Sequence, residues 1–208
     1  MCELFGLSSG LPVSFTCSLR RFAAHGSAEG PNHDGWGVAA YEGRDARIIK
    51  EPAAAALSAW ERFIENHGVT TSLVIAHIRH ASVGANSFAN THPFQRELGG
   101  VRHVFAHNGN LDDIRRERSL LRGFHPIGET DSEYAFCVLL NRLADVWMRS
   151  EPPSTSTRRN ILAKFAAELV RFGPANFIYS DGELLFAYGD RRRHDSGEVR
   201  PPGLYMVE

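Results

Sequence analysis

The chain has 208 residues, 43% hydrophobic and 23% charged, with 23 Lys and Arg against 24 Asp and Glu for a formal net charge of −1. That composition predicts one globular domain over 1–208 and excludes a disordered or collagen-like chain. The balanced charge gives no general reason to expect nucleic acid or an anionic membrane as partner, and no apolar run nears the roughly 18–20 residues that span a bilayer.

The first residues do not resemble a signal peptide, because Glu3 follows Met1-Cys2 at once and no basic segment precedes an apolar one. This predicts a cytoplasmic protein. Cys2, Cys17 and Cys137 are odd in number and widely spaced, so they read as reduced thiols, not as a disulfide framework or a zinc pattern.

In chain order, a strand is predicted over 4–8 and a short helix over 15–24. A turn-rich loop over 30–37 leads into strands at 36–41 and 46–50. The spacing of Leu57, Trp60, Phe63 and Ile64 predicts a helix over 53–66 with these four on one face. Strands follow at 72–78 and 101–107, then a short helical segment over 111–121. Two longer helices are predicted over 131–149 and 157–172, the second stopping at Gly173-Pro174. Asp181-Gly182 between apolar runs marks a hairpin joining strands 176–180 and 184–188. A polar, mobile tail is predicted from about 190, with a weaker strand at 204–207. Most strand links read as hairpins or meanders, which favours an antiparallel α+β architecture.

Several short patterns carry chemistry. Cys2 follows an initiator Met that is commonly removed before a small residue. Its removal would put a thiol and a free α-amine on one residue, and an amine with a reference pKa near 8 can serve as base for its own thiol. Ala106-His107-Asn108-Gly109 follows a predicted strand. An Asn amide and a Gly N–H can aim at one oxygen and form an oxyanion hole, although Asn-Gly after a strand is also an ordinary turn. Arg79, at the end of its strand, is placed to clamp a carboxylate, or else to join a surface ion pair. Thr130-Asp131-Ser132-Glu133 fits a capping box, with Thr130 as N-cap and Glu133 reaching back. The cap does not require Asp131, whose carboxylate could hold an ammonium group. Five histidines fall between positions 77 and 107, without the spacing of a metal site. His92 reads as shaping a pocket wall by hydrogen bonding. The glycines of the 30–37 loop lack the phosphate-binding pattern, so neither a metal nor a nucleotide cofactor is expected.

Taken in order, Met1-Cys2-Glu3-Leu4-Phe5-Gly6, Asp34-Gly35-Trp36-Gly37, His77-Ile78-Arg79, Asn90-Thr91-His92-Pro93-Phe94, Ala106-His107-Asn108-Gly109 and Thr130-Asp131-Ser132-Glu133 form a series. The series resembles the class II glutamine amidotransferases among the N-terminal nucleophile hydrolases, and within them the stand-alone members of the YafJ type. The likeness runs from Cys2 to about Gly189. It implies a four-layer αββα sandwich of two antiparallel sheets. It also implies that Cys2 is the nucleophile once Met1 is lost, with Asn108 and Gly109 as the oxyanion hole. Arg79 would then hold the α-carboxylate of glutamine and Asp131 its α-ammonium, with Ser82 and His92 lining the same pocket. No cofactor is implied. The substrate would be glutamine or another γ-glutamyl amide, such as a γ-glutamyl thiol-histidine conjugate, and a separate synthase subunit could receive the ammonia. A third reading is an inactive binding or scaffold protein with the same fold. The sequence does not set the oligomeric state.

Overall fold

A computed structural model describes residues 2–27, 29–117, 120–148, 152–194, 197–203 and 206. The first half of the chain builds one four-stranded sheet from β1 (Glu3–Ser14), β2 (Gly35–Glu42), β3 (Asp45–Glu51) and β4 (Thr70–Arg79), in the order β1-β4-β2-β3. The second half builds another from β5 (Phe94–Leu98), β6 (Val101–Gly109), β7 (Ala175–Ser180) and β8 (Leu185–Tyr188), in sequential order. Every pairing in both sheets is antiparallel.

Strand alternation sorts the side chains into layers. On β4, Leu73 and Ile75 face the second sheet and pack with Ala39, Tyr41, Val104, Ala106 and Ile178. Their neighbours Val74, Ala76 and Ile78 face the opposite way, onto Phe15 and Leu19 around α1 (Thr16–Ala23) and onto Ile64 of α2 (Ala59–His67). The second sheet does the same. Phe105 and Phe177 face outward and pack on Phe136 of α3 (Asp131–Trp147) and Phe165 of α4 (Thr155–Leu169). The order helix, sheet, sheet, helix is the predicted αββα sandwich.

Local chemistry sets the element ends. Thr130 caps α3 by accepting the Glu133 N–H at 3.2 Å, and Ser154 caps α4 by accepting the Thr157 N–H at 3.3 Å. The hairpin between β7 and β8 turns at Asp181-Gly182, with Gly182 at φ 88°.

Several expectations are corrected. The predicted helix over 53–66 starts only at Ala59, because Ser58 caps it by accepting the N–H groups of Trp60 and Glu61, leaving a single 3-10 turn at Ala55–Leu57. Of the four residues placed on its apolar face only Ile64 is buried; Trp60 and Phe63 are 52% and 48% exposed. Among the described residues of segment 111–121 no α-helix forms, and a 3-10 turn stands at Ile114–Arg116. β5 was not expected; Gln95-Arg96-Glu97 hides it, yet Gly99 and Gly100, at φ 64° and 78°, turn it into β6. Glu133 does not reach back to its cap. Its carboxylate accepts the N–H groups of Ile127 and Gly128 and pairs with Arg96 at 2.6 Å. In the tail, β9 (Arg192–Arg193) pairs with β10 (Val199–Arg200). The predicted strand at 204–207 lies mostly outside the described residues.

Candidate active site

Most of the candidate residues meet at one end of the sandwich, where strand ends from both sheets converge. β1 pairs with β4 from Glu3 opposite Ile78, so continuing the register by one position sets Cys2 beside Arg79. The half-buried Cys2 thiol takes the His80 N–H at 3.2 Å and lies 3.3 Å from the His80 carbonyl. Burial pushes this thiol above its ordinary range, opposed by the His80 N–H and the Arg79 charge. It therefore rests as the thiol, and a thiolate there would need a base nearby. Met1 lies outside the described residues.

From the second sheet, Asn108 at the end of β6 donates its side-chain amide to the Cys2 carbonyl at 2.6 Å. One amide hydrogen thus holds the Cys2 backbone, and the other has no partner among the described residues. Gly109 is required by space: a Cβ there would overlap the Pro174 carbonyl and stand 2.8 Å from His107 Nε2. The next residue but one is also fixed from below, since the Leu111 N–H donates to Asp131 Oδ2 at 2.6 Å. The other Asp131 oxygen accepts the Ser132 N–H at 2.8 Å. Asp131 is buried at the first turn of α3, a site that favours a carboxylate.

Arg79 is buried and already engaged. Its Nη1 donates to Asn86 Oδ1 at 2.7 Å and to the Asp34 carbonyl at 3.4 Å, and its Nη2 donates to the carbonyls of Val83 and Gly84 at 3.0 and 3.2 Å. Asp34 braces the same loop, accepting the Ala81 N–H at 2.7 Å and the Asn86 amide at 3.0 Å. Burial works against the Asp34 charge, but these donors outweigh it and hold the carboxyl below the usual range.

The remaining expected residues lie differently. Ser82 is exposed in the loop that follows β4. His92 is buried with its ring 4.1 Å from that of His77 and 4.4 Å from Phe94. Neither of its ring nitrogens has a hydrogen-bond partner among the described residues, so the expected hydrogen bonding at a pocket wall is corrected to ring packing. No three His, Cys, Asp or Glu side chains among the described residues converge as metal ligands. No described helix is long and apolar enough to cross a membrane.

Sequence reasoning missed the bracing groups. Asp34 sat inside a recognised motif without a role. Asn176 carried no signal at all, yet its buried amide donates to the Asn108 carbonyl at 2.9 Å and to the Arg191 carbonyl at 3.0 Å.

A helix-enclosed double sheet with a cysteine at the head of its first strand, an Asn-Gly turn against it and a buried Arg and Asp nearby defines a class of protein, the αββα sandwiches of the N-terminal nucleophile type. The family model for class II glutamine amidotransferases matches residues 1–202, and the chain belongs to that family. It is 38% identical over 195 residues to YafJ of Escherichia coli (strain K12), covering 93% of this chain and 75% of the relative. It is 39% identical over 192 residues to MJ1515 of Methanocaldococcus jannaschii, covering 92% of this chain but only 52% of that one. Among solved structures, a predicted glutamine amidotransferase from Pseudomonas aeruginosa superposes with a TM-score of 0.64 at 35% identity, over 92% of this chain and 76% of that one. The glutamine phosphoribosylpyrophosphate amidotransferase of B. subtilis, 18% identical, shares the fold over 90% of this chain and 36% of its own, with a TM-score of 0.60.

Proposed function

We propose that the protein hydrolyses the side-chain amide of glutamine to glutamate and ammonia through a γ-glutamyl thioester on Cys2. The observation that carries this reading is the 2.6 Å hydrogen bond from Asn108 to the Cys2 carbonyl, which brings an oxyanion donor from one sheet to a thiol on the other. Loss of Met1 frees the Cys2 amine. The amine takes the thiol proton, and the sulfur attacks the amide carbon of glutamine. The carbonyl oxygen gains the negative charge and is held by the second Asn108 amide hydrogen and the Gly109 N–H. As the C–N bond breaks, the protonated amine gives its proton to the departing ammonia. Water then adds to the thioester, its proton returns to sulfur through the amine, and glutamate leaves.

The glutamyl head is read by charge. Asp131 takes the α-ammonium. The α-carboxylate goes to Arg79, where it must replace the Val83 and Gly84 carbonyls at Nη2. Ammonia then passes to solution or to a separate synthase, and copurification with such a protein would show the second route.

Intact mass and N-terminal sequencing of active protein should show Cys2 as the first residue. A glutamine-analogue electrophile should label it, and Cys2→Ala should abolish both labelling and turnover. Active protein that keeps Met1 would overturn the assignment. Turnover of larger γ-glutamyl amides, with glutamine inert, would move the substrate while keeping the nucleophile.

A further inference from the structure

Between the carboxylate of Asp131 and the turn at Asn108-Gly109 runs a line of side chains that the proposed chemistry does not use. Ser132 Oγ lies 2.9 Å from His107 Nδ1 and 3.4 Å from Asp131 Oδ1. His107 is fully buried on the helix-facing side of β6, parallel to Phe105 with ring centroids 6.4 Å apart. Its Nε2 stands 2.8 Å from where a Gly109 Cβ would fall, on the side of the Pro174 carbonyl, and makes no well-formed hydrogen bond with the described residues. The imidazole therefore forms the floor under the oxyanion turn, one residue before Asn108 in the chain.

Ser132 has one hydroxyl proton and two acceptors within reach. One is the Asp131 carboxylate; the other is His107 Nδ1, in the tautomer that carries its hydrogen on Nε2. A free carboxylate is the stronger, charged acceptor. An ammonium group on Asp131 satisfies that charge and leaves the hydroxyl proton to His107. The imidazole is then held at Nδ1 and directs its Nε2–H toward the Pro174 carbonyl, beside Gly109. We propose that Ser132 and His107 are positioning residues that couple capture of the substrate's α-ammonium at Asp131 to alignment of the Asn108 and Gly109 donors. This coupling rests on the glutaminase chemistry proposed above. It makes an occupied head-group site a condition for a well-formed oxyanion hole.

The test compares glutamine with glutaramate, which has the same carboxylate and carboxamide but no α-amine, on wild-type protein and on Ser132→Ala. Wild type should turn over glutamine with the higher kcat. In Ser132→Ala, kcat for glutamine should fall roughly tenfold with KM within about twofold, while kcat for glutaramate barely moves, so the preference shrinks at least about fivefold, the low end of coupling between two sites. Ser132→Thr, which keeps the hydroxyl, should restore the preference. His107→Leu should show the same loss, and adding Ser132→Ala to it should change nothing further, as for groups acting in series. An equal fall on both substrates, a rise in KM with kcat intact, or no change in Ser132→Ala would overturn the coupling while leaving the glutaminase reading in place. Wild-type protein inactive on glutamine would overturn that reading, and the coupling with it.

Discussion

The space between the two sheets changes character along its length. Its middle is hydrocarbon, with Leu73, Ile75, Val104, Ala106 and Ile178 in contact and all buried. Two residues further along the same face of β4, Ile75 gives way to His77 and then to Arg79. There the packing is imidazole on imidazole, His77 on His92 at 4.1 Å, and neither ring makes a well-formed hydrogen bond with the described residues, the His107 backbone only partly offsetting the burial of His77. Burial pulls His77 down to about 3 and His92 well below the ordinary range, so both stay neutral. The middle is close-packed hydrocarbon, whereas the end that holds the candidate site leaves buried polar atoms poorly satisfied.

That contrast can be broken or sharpened by substitution. In the middle, Ile75→Ala should lower unfolding free energy by about 2–5 kcal/mol, the usual range for a fully buried aliphatic truncation, measured by denaturant titration. At the end, Asn108→Ala should lower unfolding free energy by only about 1 kcal/mol, the lost hydrogen bond to the Cys2 carbonyl, and, on the proposed chemistry, lower kcat roughly 100- to 1000-fold, as for a lost oxyanion donor, read by steady-state kinetics. An Asn108→Ala protein that loses stability as much as Ile75→Ala would erase the distinction.

Acid should also act through the histidine end. An unfolded histidine takes its proton near pH 6.5, whereas folded His77 resists until about pH 3. As pH falls below 6.5 the unfolded chain binds protons that the folded chain does not, so stability declines through that window by up to about 1.4 kcal/mol per pH unit for each such histidine. His103, pulled down by burial to about 4, adds to the slope over the upper part of the same window. Unfolding measured between pH 7 and pH 4 checks this, and a flat profile would contradict the neutral, buried state of these rings. The smallest effect is expected from His77→Leu. Exchanging a poorly satisfied imidazole for a hydrocarbon of similar size should shift stability by less than about 1 kcal/mol at pH 7 and flatten the acid slope. A large loss at pH 7 would show that the imidazole is better satisfied than its surroundings indicate.

Much of this end was legible in the sequence because its residues sit where strands and helices begin or stop. Cys2 heads β1, Arg79 ends β4, Asn108 and Gly109 end β6, and Asp131 opens α3. Each is adjacent to an apolar run that the period of the pattern reveals. What was not legible lies across the chain. The loop that engages Arg79 comes from Asp34 and residues 83–86, and the amide behind Asn108 comes from Asn176. Irregular loop contacts such as those of residues 83–86, and hydrogen bonds spanning the chain such as Arg79 to Asp34 and Asn176 to Asn108, leave no periodic trace. α2 misled for a different reason. Its aromatic stripe satisfies helical spacing, but Ser58 caps the helix late and the resulting phase turns Trp60 and Phe63 outward.

The carbonyls already seated on Arg79 bear on selectivity. Val83 and Gly84 offer the guanidinium partial charges only, so a full anion can displace them where another neutral amide gains little. A glutamine locked within a polypeptide has peptide bonds in place of its free ends. Under the proposed glutaminase reading, it brings neither the anion that would unseat the loop nor the cation assigned to Asp131. Under that reading, the same loop that keeps the arginine occupied would spare glutamines held within polypeptides and admit the free amino acid.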